Sequence, residues 1–134
     1  MPPEPMILYV EDDMLSRRIM SVLMKTMGYA HLTIFEDSTN FMAKLASLSA
    51  RPDLIFLDIH MKPYDGFTIL KMLRADTFYA DSTVIALTAS VMSEEVEELH
   101  RAGFNGGLAK PIDQNVFPAL VERILQGEKV WHVL

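Results

Sequence analysis

The sequence predicts a single α/β domain, a doubly wound parallel sheet of five strands with five helices on its two faces. Three observations predict it. Short apolar runs alternate with amphipathic helical patterns along the chain, without repeats or low-complexity linkers. The run Leu54-Ile55-Phe56-Leu57 shows no polar alternation, which marks a strand buried on both faces. Four of the runs stop on polar residues: Glu11-Asp12-Asp13, Asp58, Thr88 and Lys110.

Composition bounds the answer. With 134 residues the chain is long enough for one domain with a real core. A chain 50% hydrophobic and 22% charged is not disordered. The formal net charge of −6 gives no general attraction to nucleic acid or an anionic membrane. Cysteine is absent, which excludes a disulfide framework and a thiolate metal site. The chain does not open on a basic-then-apolar signal, and no apolar run approaches the ~18–20 residues of a membrane span. A cytoplasmic protein is expected.

Residues 1–5, with three prolines, form an extended lead-in to a domain spanning 6–126. Residues 6–10 are the first strand. The acidic trio closes it, and Asp13 is the better candidate to cap the helix that follows. Over residues 14–27, Leu15, Ile19, Val22, Leu23 and Met27 recur at helical spacing opposite Arg17, Arg18 and Lys25. This stripe is the expected core-facing side, and Gly28 stops the helix. Residues 29–35 are rich in strand formers. Residues 38–49 form a helix with Phe41, Met42, Leu45 and Leu48 as its buried stripe.

Arg51-Pro52-Asp53 turns into the strand 54–58. Asp65, as cap, and Gly66 open a third helix that runs to about residue 75. Residues 82–87 form the fourth strand. An acidic helix over 93–101 presents a solvated face at 94–98, and Gly103 lies beyond it. Residues 105–109 are a short strand weakened by glycine. Pro118 inside a helix would cost ~3 kcal/mol. With Asn115 as cap it falls in the first turn, where its missing N–H costs nothing, so the last helix begins near Val116 and ends near residue 126. The tail, 127–134, is unusually apolar, and Val130-Trp131-His132-Val133-Leu134 is expected to pack on its own domain.

Right-handed crossovers put the C-terminal ends of all parallel strands on one edge, where such sheets bind ligands. Glu11, Asp12, Asp58, Thr88 and Lys110 therefore meet there. Carboxylates packed closely repel one another and call for a cation. An all-oxygen set without paired histidines selects a hard ion such as Mg²⁺. His31, His100 and His132 have no metal-ligand spacing. Lys110 suits a phosphoryl oxygen and Thr88 offers a hydroxyl. A metal, a lysine and a hydroxyl around a carboxylate suit phosphoryl transfer onto that carboxylate, with Asp58 as nucleophile.

Four strings, Val10-Glu11-Asp12-Asp13, Leu57-Asp58-Ile59-His60-Met61 with Asp65-Gly66, Leu87-Thr88-Ala89 and Lys110-Pro111, occur in order, each at a strand end. With them the chain resembles the receiver domain of two-component response regulators, of the stand-alone, chemotaxis-receiver kind. The resemblance implies the flavodoxin-like strand order 2-1-3-4-5 and phosphorylation of Asp58 by a histidine kinase or histidine phosphotransfer protein. It implies Mg²⁺ or Mn²⁺ held by Asp12, by Asp58 and by the backbone carbonyl of His60, with Glu11 acting mainly through water. Thr88 and Lys110 hold the phosphoryl group, and a cis bond joins Lys110 to Pro111. Such a domain is no enzyme beyond self-catalysed phosphoryl transfer and slow autodephosphorylation. It signals through an unknown downstream protein as a monomer or weak homodimer, without an output domain, nucleic acid or membrane.

Two departures stand out. The aromatic that the family usually carries three residues before the lysine is Gly107 here, preceded by Gly106. The usual proline of the loop after Asp58 is displaced to Pro63, which predicts an altered loop around an intact site. The missing aromatic supports an alternative, a pseudo-receiver that works as an interaction module without phosphate. A flavin carrier is disfavoured because Glu-Asp-Asp after the first strand repels phosphate. A phosphatase with an Asp nucleophile would want a general-acid Asp where His60 stands.

Overall fold

The computed structural model describes residues 4–90 and 92–133. Strands and helices alternate: β1 (Ile7–Val10), α1 (Met14–Thr26), β2 (Leu32–Phe35), α2 (Phe41–Ala46), β3 (Leu54–Asp58), α3 (Gly66–Ala75), β4 (Val84–Thr88), α4 (Ser93–Ala102), β5 (Gly106–Ala109), α5 (Phe117–Leu125) and β6 (Trp131–His132). All the paired strands are parallel, in the order β2-β1-β3-β4-β5-β6. Among the described residues the doubly wound α/β fold with five helices is as expected, but the sheet has six strands, not five.

The sixth strand comes from the apolar tail, and the glycines of β5 explain it. Gly107 N–H donates to the Val130 carbonyl at 2.9 Å, and Gly107 and Leu108 pair with Trp131 and His132. A Cβ at Gly106 would strike the Val130 carbonyl oxygen, and one at Gly107 would lie 2.9 Å from the Trp131 indole. The glycines that read as a weak strand are what let another strand approach. The expectation that the tail packs on its own domain holds for Val130 and Val133, both buried; Leu134 lies outside the described residues.

β1, β3 and β4 are buried along their whole lengths. Alternate residues feed two apolar cores, as period-2 geometry requires. Leu8, Val10, Ile55, Leu57 and Ala86 pack toward α2, α3 and α4, while Ile7, Tyr9, Phe56, Ile85 and Leu87 pack toward α1 and α5. Burial of this kind contributes roughly 1.5–3 kcal/mol per large side chain.

Local signals account for several helix ends. Asp13 caps α1 by accepting from Ser16 N at 2.8 Å, and Asp65 caps α3 by accepting from Thr68 N at 2.8 Å. Gly103 closes α4 with φ +98°, a left-handed conformation that favours glycine. Pro118 falls in the first turn of α5, but the cap is Val116, not Asn115. The second helix, expected over 38–49, is only Phe41–Ala46; its late start follows from Asn40, which takes a left-handed φ of 52°. The α1 stripe needs a larger correction. Leu23 is buried as expected and Met27 packs against the core, but Leu15, Ile19 and Val22 are exposed while Met20 and Met24 are buried in their place.

Candidate functional site

The rim of the sheet gathers the polar ends. Register aligns Val10 with Leu57, Asp58 with Leu87, and Thr88 with Ala109. One residue past each strand end therefore stand Glu11 and Lys110, beside Asp58 and Thr88. Backbone bonds fix the corner: Ile59 N–H donates to Leu87 O at 3.2 Å and Lys110 N–H to Thr88 O at 2.8 Å.

Glu11, Asp12 and Asp58 each offer one carboxylate oxygen, and these oxygens all lie within 4.8 Å of one another. Glu11 and Asp58 are buried and Asp12 is exposed, so the cluster is a pair of sequestered carboxylates with one reaching solvent. Lys110 Nζ is 2.6 Å from Glu11 Oε1 and 3.3 Å from Asp58 Oδ1. The set fits a hard divalent cation, since oxygen donors of matching charge converge and one side stays open to water.

Electrostatics separates the two buried carboxyls. Burial, and then the adjacent Glu11 carboxylate, push Asp58 up to about 7, with Lys110 only partly opposing the rise. Burial would also raise Glu11, but its hydrogen bonds with Lys110, Asp58 and Tyr9 outweigh it and hold this carboxyl below the usual range. Burial works against the Lys110 ammonium, yet Glu11 and Asp58 keep its pKa above the usual lysine value.

Sequence reasoning missed three supporting groups. Tyr9, a core residue of β1, donates its hydroxyl to Glu11 Oε1 at 2.8 Å. Burial, then Glu11, hold its phenol well above the ordinary range. Arg17 Nη1 donates to the Glu11 carbonyl at 3.1 Å. Ser38 is buried, donates to Tyr64 O at 2.7 Å and accepts from Tyr64 N at 2.8 Å, which ties down the loop after Asp58. A tyrosine two residues before the acidic pair is the one signal that pointed to such a partner.

Thr88 and His60 lie at the same rim, at the end of β4 and in the loop after β3. Thr88 is buried at the end of β4, and its hydroxyl is engaged locally, donating to Ser90 O at 3.1 Å and accepting from Ser90 N at 3.0 Å. The His60 side chain is exposed beside a cavity of about 320 Å³ that Thr88, Asp65, Phe67, Glu95 and Glu98 also line. Lys110-Pro111 is cis, as the resemblance implied, and Lys62-Pro63 is cis as well. Among the described residues no helix is long and apolar enough to cross a membrane.

Comparison with known proteins places this geometry. Residues 7–122 match the family model described as response regulator receiver domain. The chain is 28% identical over 120 residues to the chemotaxis protein CheY of Pseudomonas aeruginosa, covering 90% of this chain and 95% of that protein. It is 30% identical over 109 residues to the osmosensing histidine protein kinase SLN1 of Saccharomyces cerevisiae, covering 79% of this chain but only 9% of that much longer protein. Among solved structures, the receiver domain of a sensor histidine kinase from Pseudomonas aeruginosa superposes with a TM-score of 0.76 at 28% identity, over 93% of this chain and 97% of that one. That structure holds a magnesium ion in its active-site cleft. The chain belongs to the response regulator receiver domain family of two-component signalling.

Proposed function

We propose that this domain accepts a phosphoryl group on Asp58 from the phosphohistidine of a histidine kinase or phosphotransfer protein. The supporting observation is the convergence of Glu11, Asp12 and Asp58 within 4.8 Å, with Lys110 Nζ 3.3 Å from Asp58. Asp12, Asp58 and the His60 carbonyl would hold Mg²⁺ or Mn²⁺, with Glu11 acting through water. Bound there, the cation offsets the repulsion among the carboxylates and the charge of the transferring group. In the transfer an ionised Asp58 oxygen bonds to phosphorus while the P–N bond breaks, and the donor imidazole keeps its electron pair. Lys110 then exchanges part of its hold on Glu11 for a phosphoryl oxygen, and Thr88 leaves Ser90 to donate its hydroxyl.

A protein donor needs a docking face near Asp58. Met14, Leu15, Ile19 and Val22 expose an apolar strip on α1, with Ile112 and Gln114 of the loop after β5 beside it. An exposed strip next to a charged rim suits a helix that presents its histidine to Asp58.

Incubation with acetyl phosphate and Mg²⁺, followed by intact-mass measurement, tests the reading. One phosphate should appear on the native chain and none on Asp58→Asn; equal incorporation in both, or none in either, would refute it.

A further inference from the structure

β5 offers no side chain at Gly106 or Gly107, yet the space beside it is filled. Trp131 of β6 pairs with Gly107, and its ring atoms Cζ3 and Cε3 lie 2.9 and 3.0 Å from where a Gly107 Cβ would stand. The same indole stacks on His100 of α4, with ring centroids 3.6 Å apart and planes 23° from parallel. Trp131 is half-buried against the apolar core on the α4 side of the sheet. It therefore bridges the sheet edge and the exposed turn of α4.

α4 is lightly held elsewhere. Leu99 is its only buried residue, and Met92 at its N-terminus gives no side-chain cap. Leu99, Glu95 and Glu98 face the cavity of about 320 Å³ that reaches Thr88. One flank of the helix thus has room to move toward the rim, while the adjoining His100 is stacked on Trp131.

We propose that the Trp131–His100 stack is a latch that sets the position of α4, so that a change at Thr88 is felt at β6. This rests on the phosphoacceptor reading above. The latch supplies from a separate strand the aromatic contact that β5 lacks, and it restrains α4 in the state described here. Releasing it makes the moved position of α4 easier to reach.

Trp131 is the only tryptophan in the chain, so its emission reports the stack directly. The native chain is given acetyl phosphate and Mg²⁺ while tryptophan emission and intact mass are followed in the same sample. Emission should change in step with phosphate occupancy, and His100→Ala should take phosphate with that change lost. Trp131→Ala should take phosphate from acetyl phosphate about two- to tenfold faster, and adding Gly107→Phe, which refills the space from β5, should return the rate toward native. Phosphate incorporation with unchanged native emission overturns the latch, as does an unaltered rate in folded Trp131→Ala. If Trp131→Ala fails to fold, the emission of the native and His100→Ala chains decides. A native chain that takes no phosphate sinks the phosphoacceptor reading, and the latch as a sensor falls with it.

Discussion

Lys110 is held more tightly by Glu11 than by Asp58, at 2.6 Å against 3.3 Å. The lysine neutralises the more deeply buried acid and leaves Asp58 only partly compensated. Lys110→Met should therefore strand Glu11 without its cation, lowering metal-free stability by about 2–4 kcal/mol. Denaturant titration measures it, and Mg²⁺ should restore part of the loss. An unchanged midpoint would mean that the pair contributes nothing to the fold.

Asp58 gives a pH dependence of definite sign. Its folded carboxyl sits near 7 against an ordinary 3.8, so the folded state keeps a proton that the unfolded chain releases. The stability this provides is complete below the ordinary value and is lost as pH rises from about 4 through about 7. Glu11 is shifted down, so its contribution is present above its ordinary value of 4.5 and lost as pH falls below it. Metal-free Tm should thus peak in mildly acidic buffer and fall toward pH 8. Asp58→Asn should flatten that fall, and a variant keeping the native slope would assign it to another group.

Mg²⁺ held at Asp58 as proposed would compete with the proton on that carboxyl. Its affinity should rise with pH up to about 7, by as much as tenfold per unit, and level off above. Calorimetric titration between pH 5.5 and 8 checks this; an affinity independent of pH would place the cation away from Asp58.

Tyr9→Phe deletes one hydroxyl and leaves the Glu11 carboxylate short of a donor inside the core. Stability should drop by about 1 kcal/mol, and Mg²⁺ affinity should weaken by about tenfold, because Glu11 loses the contact that orients it. Loss of stability with unaltered Mg²⁺ binding would show that Glu11 orientation does not matter to the ion.

Ile19→Glu and Val22→Glu lie on the exposed strip of α1, outside either core. Each should slow transfer from a phosphorylated histidine phosphotransfer protein by at least about tenfold while leaving the rate from acetyl phosphate within about twofold. Equal slowing with both donors would point to damage at Asp58 instead of lost docking.

The gathering of the candidate residues at one rim was legible because each stands at a strand end or within two residues of one, and the topology puts those ends on one edge. α1 was read correctly at Leu23 and Met27 but not over its first turns, because it is apolar on two sides. Leu15, Ile19 and Val22 satisfy a 3.6-residue period with Leu23 as well as Met20 and Met24 do, and only packing against the sheet chooses between them. Asn40 delayed the start of α2 through a left-handed backbone that no periodicity announces. β6 escaped because glycine was weighed as a local cost, whereas in β5 it gives another strand room to approach. Tyr9 and Ser38 sit among residues that look purely structural, and their bonds to Glu11 and Tyr64 exist only in three dimensions.

β3 lies between β1 and β4, is buried along all five residues, and carries Asp58 at its end. Its amides should be among the last in the molecule to exchange with deuterium, opening only when the whole domain unfolds. The residue proposed to change charge is thus mounted on the least yielding part of the chain. A rigid mount cannot relay a signal by moving, so any response must come from neighbours that reposition around a stationary carboxylate. Exchange rates should then change with phosphate on the loops and helices that ring Asp58, while the strand that holds it keeps the same slow clock.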